Sequence, residues 1–177
     1  EAVNHDVKVE DSRINTCLEK AVTLDPRNTY NALTWLDYLI EKQDWAGVAR
    51  ARSIIHCDKG NPYFLVRYLQ AAIRDHKLAI ASEILDGLMR YQDDNEWLFE
   101  TSYQEYTRAE LWDTLRQRLT VYLDDAECNP AIGRLWAQYC LDREPKPETI
   151  LKYLAPFDVG SARWREAMEA VFASKEY

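Results

Sequence analysis

The chain has 177 residues, of which 47% are hydrophobic, 29% are charged and only 5 are glycine. This composition excludes a disordered or collagen-like chain and predicts one folding unit or a short stack of repeats. The formal net charge of −8 disfavours a nucleic-acid partner, because the summed field of the protein repels phosphates.

The sequence contains no signal for membrane insertion. No apolar run approaches the roughly 20 residues that a membrane-spanning helix needs, and the first residues lack the apolar stretch of a signal peptide. The chain begins at Glu1 rather than Met, which suggests a processed protein or a part of a longer one and leaves a lost targeting sequence open. Four cysteines stand singly, so we expect free thiols in a reducing, cytoplasmic compartment: Cys17, Cys57, Cys128 and Cys140.

The predicted elements are all helices. A leading helix at 11–24 is followed by helix pairs at 29–42 with 45–57, 63–75 with 77–92, 96–108 with 110–124, and 131–142 with 147–155. A terminal helix at 161–174 begins at the N-cap Ser161 and is expected to cover the open end of the stack with Trp164, Ala167, Met168 and Val171. Gly87 is expected inside a helix, and residues 1–10 are expected to be loosely ordered.

Regularly spaced helix stops predict a repeat. Alignment of the segments before each stop superposes Ile14, Val48, Ala81, Leu115 and Ile150, at spacings of 34, 33, 34 and 35. Two further columns contain Ala21, Ile55, Leu88, Tyr122 and Phe157, and Asp11, Trp45, Leu78, Trp112 and Pro147. In a fourth column, Leu18, Arg52, Leu85, Leu119 and Leu154, Arg52 is the one charged residue.

A period near 34 residues with two helices per unit resembles the tetratricopeptide repeat (TPR), over residues 11–157. The best local match is the first unit, where Leu18, Ala21 and the closing Asp25-Pro26 occupy the family's packing and terminal positions. At the helix crossing, where the family has a small residue, this sequence has Leu36, Leu69, Tyr103 and Gln138, which implies a wider separation or another crossing angle. The resemblance implies an all-α fold, an α-α superhelix (solenoid) of stacked antiparallel helix pairs at 11–160, with a loose segment at 1–10 and a capping helix at 161–177.

No residue pattern predicts catalysis, a cofactor or a metal ion. The acidic runs at 93–96 and 124–127 fall at repeat boundaries, where Asp and Asn form turns and helix caps. His5, His56 and His76 have no ligand partner at a suitable spacing, although a Cys–His pair assembled by the fold stays open. The chain also lacks the Gly-rich, Gly-x-Ser-x-Gly and His-Glu-x-x-His motifs, so we expect a non-catalytic protein.

The resemblance also implies a binding face. In TPR stacks the first helices of the pairs line a concave surface, and Tyr30, Tyr63 and Trp97 occupy equivalent places in successive first helices. The family's inward-facing pattern gives these candidate partner-binding residues: Tyr30, Asp37, Tyr63, Arg67, Gln70, Arg74, Trp97, Gln104, Arg108, Trp136, Tyr139 and Arg143. Four arginines among aromatic residues suit a protein or peptide partner with an acidic or C-terminal segment. A solvated helical face with incidental arginines is the alternative.

The expected function is therefore a non-catalytic module that mediates protein–protein or protein–peptide interaction through its concave face. Two other functions stay open. The chain could be the helical scaffold or regulatory segment of a larger enzyme, such as a glycosyltransferase, which longer sequence would reveal. It could also be a polysaccharide-export repeat domain of the cell envelope, where an acidic groove meets a cationic polymer, and an upstream signal peptide would favour this function.

Overall fold

A computed structural model describes residues 2–57, 60–92, 95–143 and 154–174, with side chains from residue 12 onward. Throughout these ranges the secondary structure is helical without strands, which confirms the all-α class. The described helices are α1 (Ala2–Leu24), α2 (Thr29–Glu41), α3 (Trp45–Ile54), α4 (Pro62–Arg74), α5 (Leu78–Met89), α6 (Glu96–Arg108), α7 (Trp112–Asp124), α8 (Ile132–Arg143) and α9 (Ala162–Ala173). None of these helices combines the length and apolar character needed to cross a membrane.

The helix bounds agree with the predicted ones to within a few residues, except at the start of α1. This helix begins at Ala2 and not near residue 11. Because no glycine or proline precedes Pro26, nothing in the sequence stops the helix from extending toward the N terminus. Gly87 lies inside α5, as predicted. Most of the predicted helix at 147–155 lies outside the described residues. The column residues Pro147 and Ile150 lie outside them as well.

The chain divides into two compact units, Glu1–Ile84 and Leu85–Tyr177. In the first unit, α2 packs against α1, α3 and α4, and α3 packs against α4. In the second unit, α6 packs against α7 and α8, and α8 packs against α7 and α9. We call α2, α4, α6 and α8 the first helices of the pairs. Within each unit, two first helices therefore pack directly against each other: α2 with α4, and α6 with α8.

The same backbone turn follows three of the first helices. Gln43, His76 and Glu110 adopt the left-handed conformation, with φ of 56°, 56° and 57°. The next residue in each turn donates its N–H to a carbonyl five positions earlier, at 2.8–3.0 Å: Asp44 to Leu39, Lys77 to Ala72 and Leu111 to Tyr106. This pattern is the Schellman motif, which ends a helix and reverses the chain. The turns recur at spacings of 33 and 34 residues, the same as the spacings of the sequence columns.

An asparagine precedes every first helix: Asn28, Asn61, Asn95 and Asn129. The side chains of Asn28 and Asn61 each accept a 3.0 Å hydrogen bond from a backbone N–H in the first turn. The Asn129 side chain accepts one of 2.8 Å from the N–H of Ala131. Asparagine is favoured at this position because its side-chain oxygen satisfies a free N–H group at the helix start. Spacings of 33, 34 and 34 carry the repeat into the fourth pair.

Most described residues of the columns that contain Val48 and Ile55 are buried. Val48, Ala81 and Leu115 are at most 2% exposed, whereas Ile14 at the end of the series is 41% exposed. The crossing residues Leu36, Leu69 and Tyr103 are buried. At the crossing position of α8, Ala137 is fully buried, whereas the predicted Gln138 is only half-buried. The predicted Gln138 lies 35 residues after Tyr103, whereas the buried Ala137 lies 34 residues after it. The predicted register is therefore one residue late in α8.

Helix α9 packs along α8. Its N-cap Ser161 accepts a 3.1 Å hydrogen bond from the N–H of Trp164, as predicted. Ala167 and Val171 are buried in a cluster with residues of α8. The backbones of α8 and α9 approach so closely that a Cβ on Gly133 would lie 2.0 Å from the carbonyl oxygen of Arg163. The Arg163 side chain donates to the carbonyls of Leu123, Asp125 and Cys128, and so satisfies acceptors at the end of α7.

Candidate functional site

Arg67 contacts two other predicted binding residues in the first unit, Asp37 of α2 and Tyr63 of α4. Tyr30 and Tyr63 are each the second residue of their helix, and they are 78% and 41% exposed. Arg67 binds Asp37 through two hydrogen bonds, of 2.6 Å from Nε and 2.9 Å from Nη2. Its Nη1 also donates to the carbonyl of Tyr63 at 2.8 Å. The structure therefore places Asp37, Tyr63 and Arg67 together.

This ion pair changes what the surface can bind. A two-point arginine–carboxylate contact is the strongest common form of charge-assisted hydrogen bond. Arg67 uses it within the chain, and its side chain is only 16% exposed. A carboxylate of a partner would therefore have to displace Asp37 before it could bind Arg67. Gln70 is half-buried and Arg74 exposed, farther along the same helix.

In the second unit, a groove runs between α6 and α8. Buried Phe99 and Leu135 form its apolar lining, with Tyr103 farther along. One cavity of about 130 Å³ lies beside Asn129, and a wider one of about 320 Å³ extends to Asp142. We call this feature the α6–α8 groove. Its dimensions suit one or two side chains of an extended segment rather than a large cofactor.

Arg134 lies at the centre of the α6–α8 groove, where carboxylates surround it. Its guanidinium binds Glu96, and its Nη2 lies 2.8 Å from Glu166 and 3.2 Å from Glu169. Glu100 lines the same groove. Four carboxylates and one guanidinium give this part of the surface a formal charge of −3. The groove is therefore acidic although an arginine stands in its middle.

Three of the predicted binding residues of the second unit lie in α6, and the other three lie in α8. Trp97 is 46% exposed at the start of α6, and the exposed Gln104 and Arg108 lie farther along it. Arg108 donates to the side-chain oxygens of Glu105 and Gln104, at 3.3 Å each. These residues lie on the helix that forms one wall of the groove.

Trp136, Tyr139 and Arg143 of α8 gather around Trp112 at the start of α7. The ring of Tyr139 lies 6.0 Å from that of Trp136 and 6.1 Å from that of Trp112, and Arg143 lies 5.2 Å above Trp112. Tyr139 is only 9% exposed. Tyr139 and Arg143 therefore face Trp112 of α7, Trp136 stacks on Tyr139, and none of the three lines the groove. The one-residue shift in the predicted register of α8 accounts for this, since Arg134 and Gln138 lie in the groove.

Two buried tyrosines donate to carboxylates within the second unit. Tyr103 donates to Asp142 at 2.5 Å, which links α6 to α8, and Tyr122 donates to Asp86. Burial raises the pKa of both phenols well above the usual range, and the adjacent carboxylates raise it further. Both tyrosines therefore stay neutral donors at physiological pH, and the bond from Tyr103 to Asp142 connects the two helices that form the groove.

The residues that could carry chemistry are dispersed. In the described part of the chain, no group of three or more His, Cys, Asp or Glu side chains is arranged to hold a metal ion; Asp93 and Asp94 lie outside it. The four cysteines are free thiols, and burial raises the pKa of Cys128.

No family model matches this chain, and neither do curated proteins or solved structures. The geometry of the site therefore carries the functional argument.

Proposed function

We propose that this chain is a non-catalytic, TPR-like solenoid module that binds another protein through the exposed faces of its first helices. The exposed aromatic side chains at the second position of α2, α4 and α6 carry this proposal: Tyr30, Tyr63 and Trp97. Aromatic residues dominate binding energies where they are buried on association. The recurring turns and the paired first helices support a repeat architecture that presents such residues at regular intervals.

The charges of the α6–α8 groove favour a basic partner segment. The part of the groove around Arg134 has a formal charge of −3, next to apolar Phe99 and Leu135. Trp97 at the start of α6 is 46% exposed, and aromatic side chains attract cations. A segment with lysine or arginine beside an apolar side chain matches these features better than the acidic segment predicted from the sequence, because Arg67 and Arg108 already bind acceptors of this chain.

The test is selection from a displayed library of random peptides, followed by affinity measurements on the enriched peptides. We expect peptides that combine lysine or arginine with an apolar residue. Glu100→Arg should weaken their binding about tenfold, since a like charge would face the partner. Glu83→Arg changes an exposed glutamate of α5 outside the groove and is the matched control. Enrichment of acidic peptides, or equal losses in the two variants, would reject the groove as the binding site.

A further inference from the structure

A separate pocket lies in the first unit, where α3, α4 and the start of α5 come together. Its volume is about 190 Å³. The walls are mostly apolar, with Val48 and Ala49 from α3, Ala71 and Ala72 from α4, and Ile80 from α5. Arg52 and Tyr68 line it as well, and the Arg52 guanidinium lies 5.3 Å from the centre of the Tyr68 ring. We call it the Arg52 pocket.

The pocket occurs where the repeat departs from its own pattern. The column that contains Arg52 has leucine in its other members. Leu85 and Leu119 are 2% and 1% exposed, so this position normally fills the interior of a helix pair. Arg52 is exposed and lies on the ring of Tyr68 instead. Volume that a leucine occupies elsewhere is thus open here, and the small side chains of Ala71 and Ala72 do not fill it.

The charges around the pocket leave one cation unneutralised. Asp75 and Lys77, both in its wall, pair with each other at 2.5 Å. Arg52 forms no ion pair with a carboxylate in the described ranges, so the three charges sum to +1. Burial raises the pKa of Tyr68 to about 12, and its hydroxyl therefore remains a neutral donor beside the guanidinium.

We propose that the Arg52 pocket binds an apolar group, the size of one side chain, that bears a carboxylate. The apolar part lies against Val48, Ala72 and Ile80, and the carboxylate pairs with Arg52. Small-molecule sites usually enclose about 300 Å³ or more, so a pocket of this size suits a short-chain carboxylic acid or the last residue of a peptide. This site is distinct from the first-helix faces, and the proposal does not depend on them.

The test is an NMR titration of the whole chain with 4-methylpentanoate and with the neutral 4-methylpentanamide. We expect millimolar binding of the acid, with amide shifts centred on Val48, Ala72 and Ile80. The amide should bind about tenfold more weakly, because it lacks the charge-assisted contact with Arg52. N-acetyl-leucine distinguishes the two sources of the carboxylate: tighter binding than 4-methylpentanoate indicates a peptide end, and weaker binding indicates a small acid.

Two variants separate the roles of charge and space. Arg52→Gln removes the charge without placing an apolar side chain in the pocket, and should abolish the preference for the acid while the amide still binds. Ala49→Leu fills the pocket mouth with Arg52 retained, and should weaken the acid and the amide alike. Arg50→Leu, on an exposed arginine of the same helix, is the control and should leave binding unchanged. Shifts that avoid the pocket residues would overturn the proposal, as would equal binding of acid and amide to the unmodified chain.

Discussion

Three turns in the described backbone place a non-glycine residue in the left-handed conformation. Gln43, His76 and Glu110 adopt left-handed φ values although none of them is glycine, and their side chains are exposed. The left-handed conformation costs a residue with a Cβ about 1–2 kcal/mol, because the Cβ crowds the backbone carbonyl. The Schellman turn needs this conformation to reverse the chain between the two helices. Stability is thus lost at each turn in order to connect a helix pair in only a few residues.

Glu110→Gly should therefore stabilise the protein. Glycine adopts the observed φ of 57° without strain, and the gain is reduced by its larger entropy in the unfolded chain. We expect an increase of up to about 1 kcal/mol in the free energy of unfolding, measured by urea denaturation. Ala109→Gly is the matched control, since Ala109 has φ of −85° and gains nothing from glycine. A loss of stability in both variants would show that the turn is not strained.

At the scale of helices, the sequence predicted the elements well because each signal was local. Asn61-Pro62 and Ser161 mark helix starts, and each cap forms in the structure. The three turns with left-handed residues gave no such signal, since glutamine and glutamate have no preference for that conformation and the enrichment of histidine there is too weak to mark a turn. Their recurrence became visible only from the backbone.

The candidate site was harder to predict because it depends on register. A shift of one residue turns a helix by about 100°, and this moves a side chain from a groove to a neighbouring helix. The predicted register of α8 is one residue late and selects Tyr139, which packs against Trp112 of α7. It missed Arg134, whose partners come from α6 and α9. The pairing of Arg67 with Asp37 likewise depends on how two helices pack, so residue type alone could not reveal it.

The column of Val48, Ala81 and Leu115 provides an element-scale test of helix packing. Ala81 is fully buried, whereas Ala79 of the same helix is exposed. Ala81→Trp should lower the free energy of unfolding by about 1–3 kcal/mol or more, because the packed interior has no room for an indole. Ala79→Trp should change it by less than about 0.5 kcal/mol, as is usual for surface positions. Equal melting temperatures for the two variants would contradict the assigned packing of α5.

At the scale of the whole molecule, charged and ionisable groups limit the conditions in which the fold is stable. The chain carries a formal net charge of −8, yet many of its arginines and carboxylates pair within their own unit. Exposed pairs of this kind contribute about 0–1 kcal/mol each, so they set local geometry more than total stability. The buried tyrosines have a larger effect, because a phenol that ionises in a buried position loses its solvation and faces a carboxylate.

Stability should consequently fall in alkaline solution. Tyr68, Tyr103 and Tyr122 have raised pKa values in the folded protein, whereas in the unfolded chain they ionise near the ordinary value of 10.0. Above about pH 9 the unfolded chain therefore binds fewer protons than the folded one, and the free energy of unfolding decreases as pH rises. Urea denaturation at a series of pH values from about 7 to 11 measures this slope.

Tyr103→Phe isolates the contribution of one of these phenols. The variant should be less stable than the unmodified protein at neutral pH, because Asp142 loses its donor, but its stability should fall less steeply above about pH 9. Tyr30→Phe is the matched control, since this tyrosine is 78% exposed and its loss should leave the slope unchanged. Lysines also titrate in this range, but they do so equally in all three proteins and cancel in the comparison. Identical slopes for Tyr103→Phe and the unmodified chain would mean that Tyr103 ionises as easily in the folded protein as in the unfolded one, contrary to its burial beside Asp142.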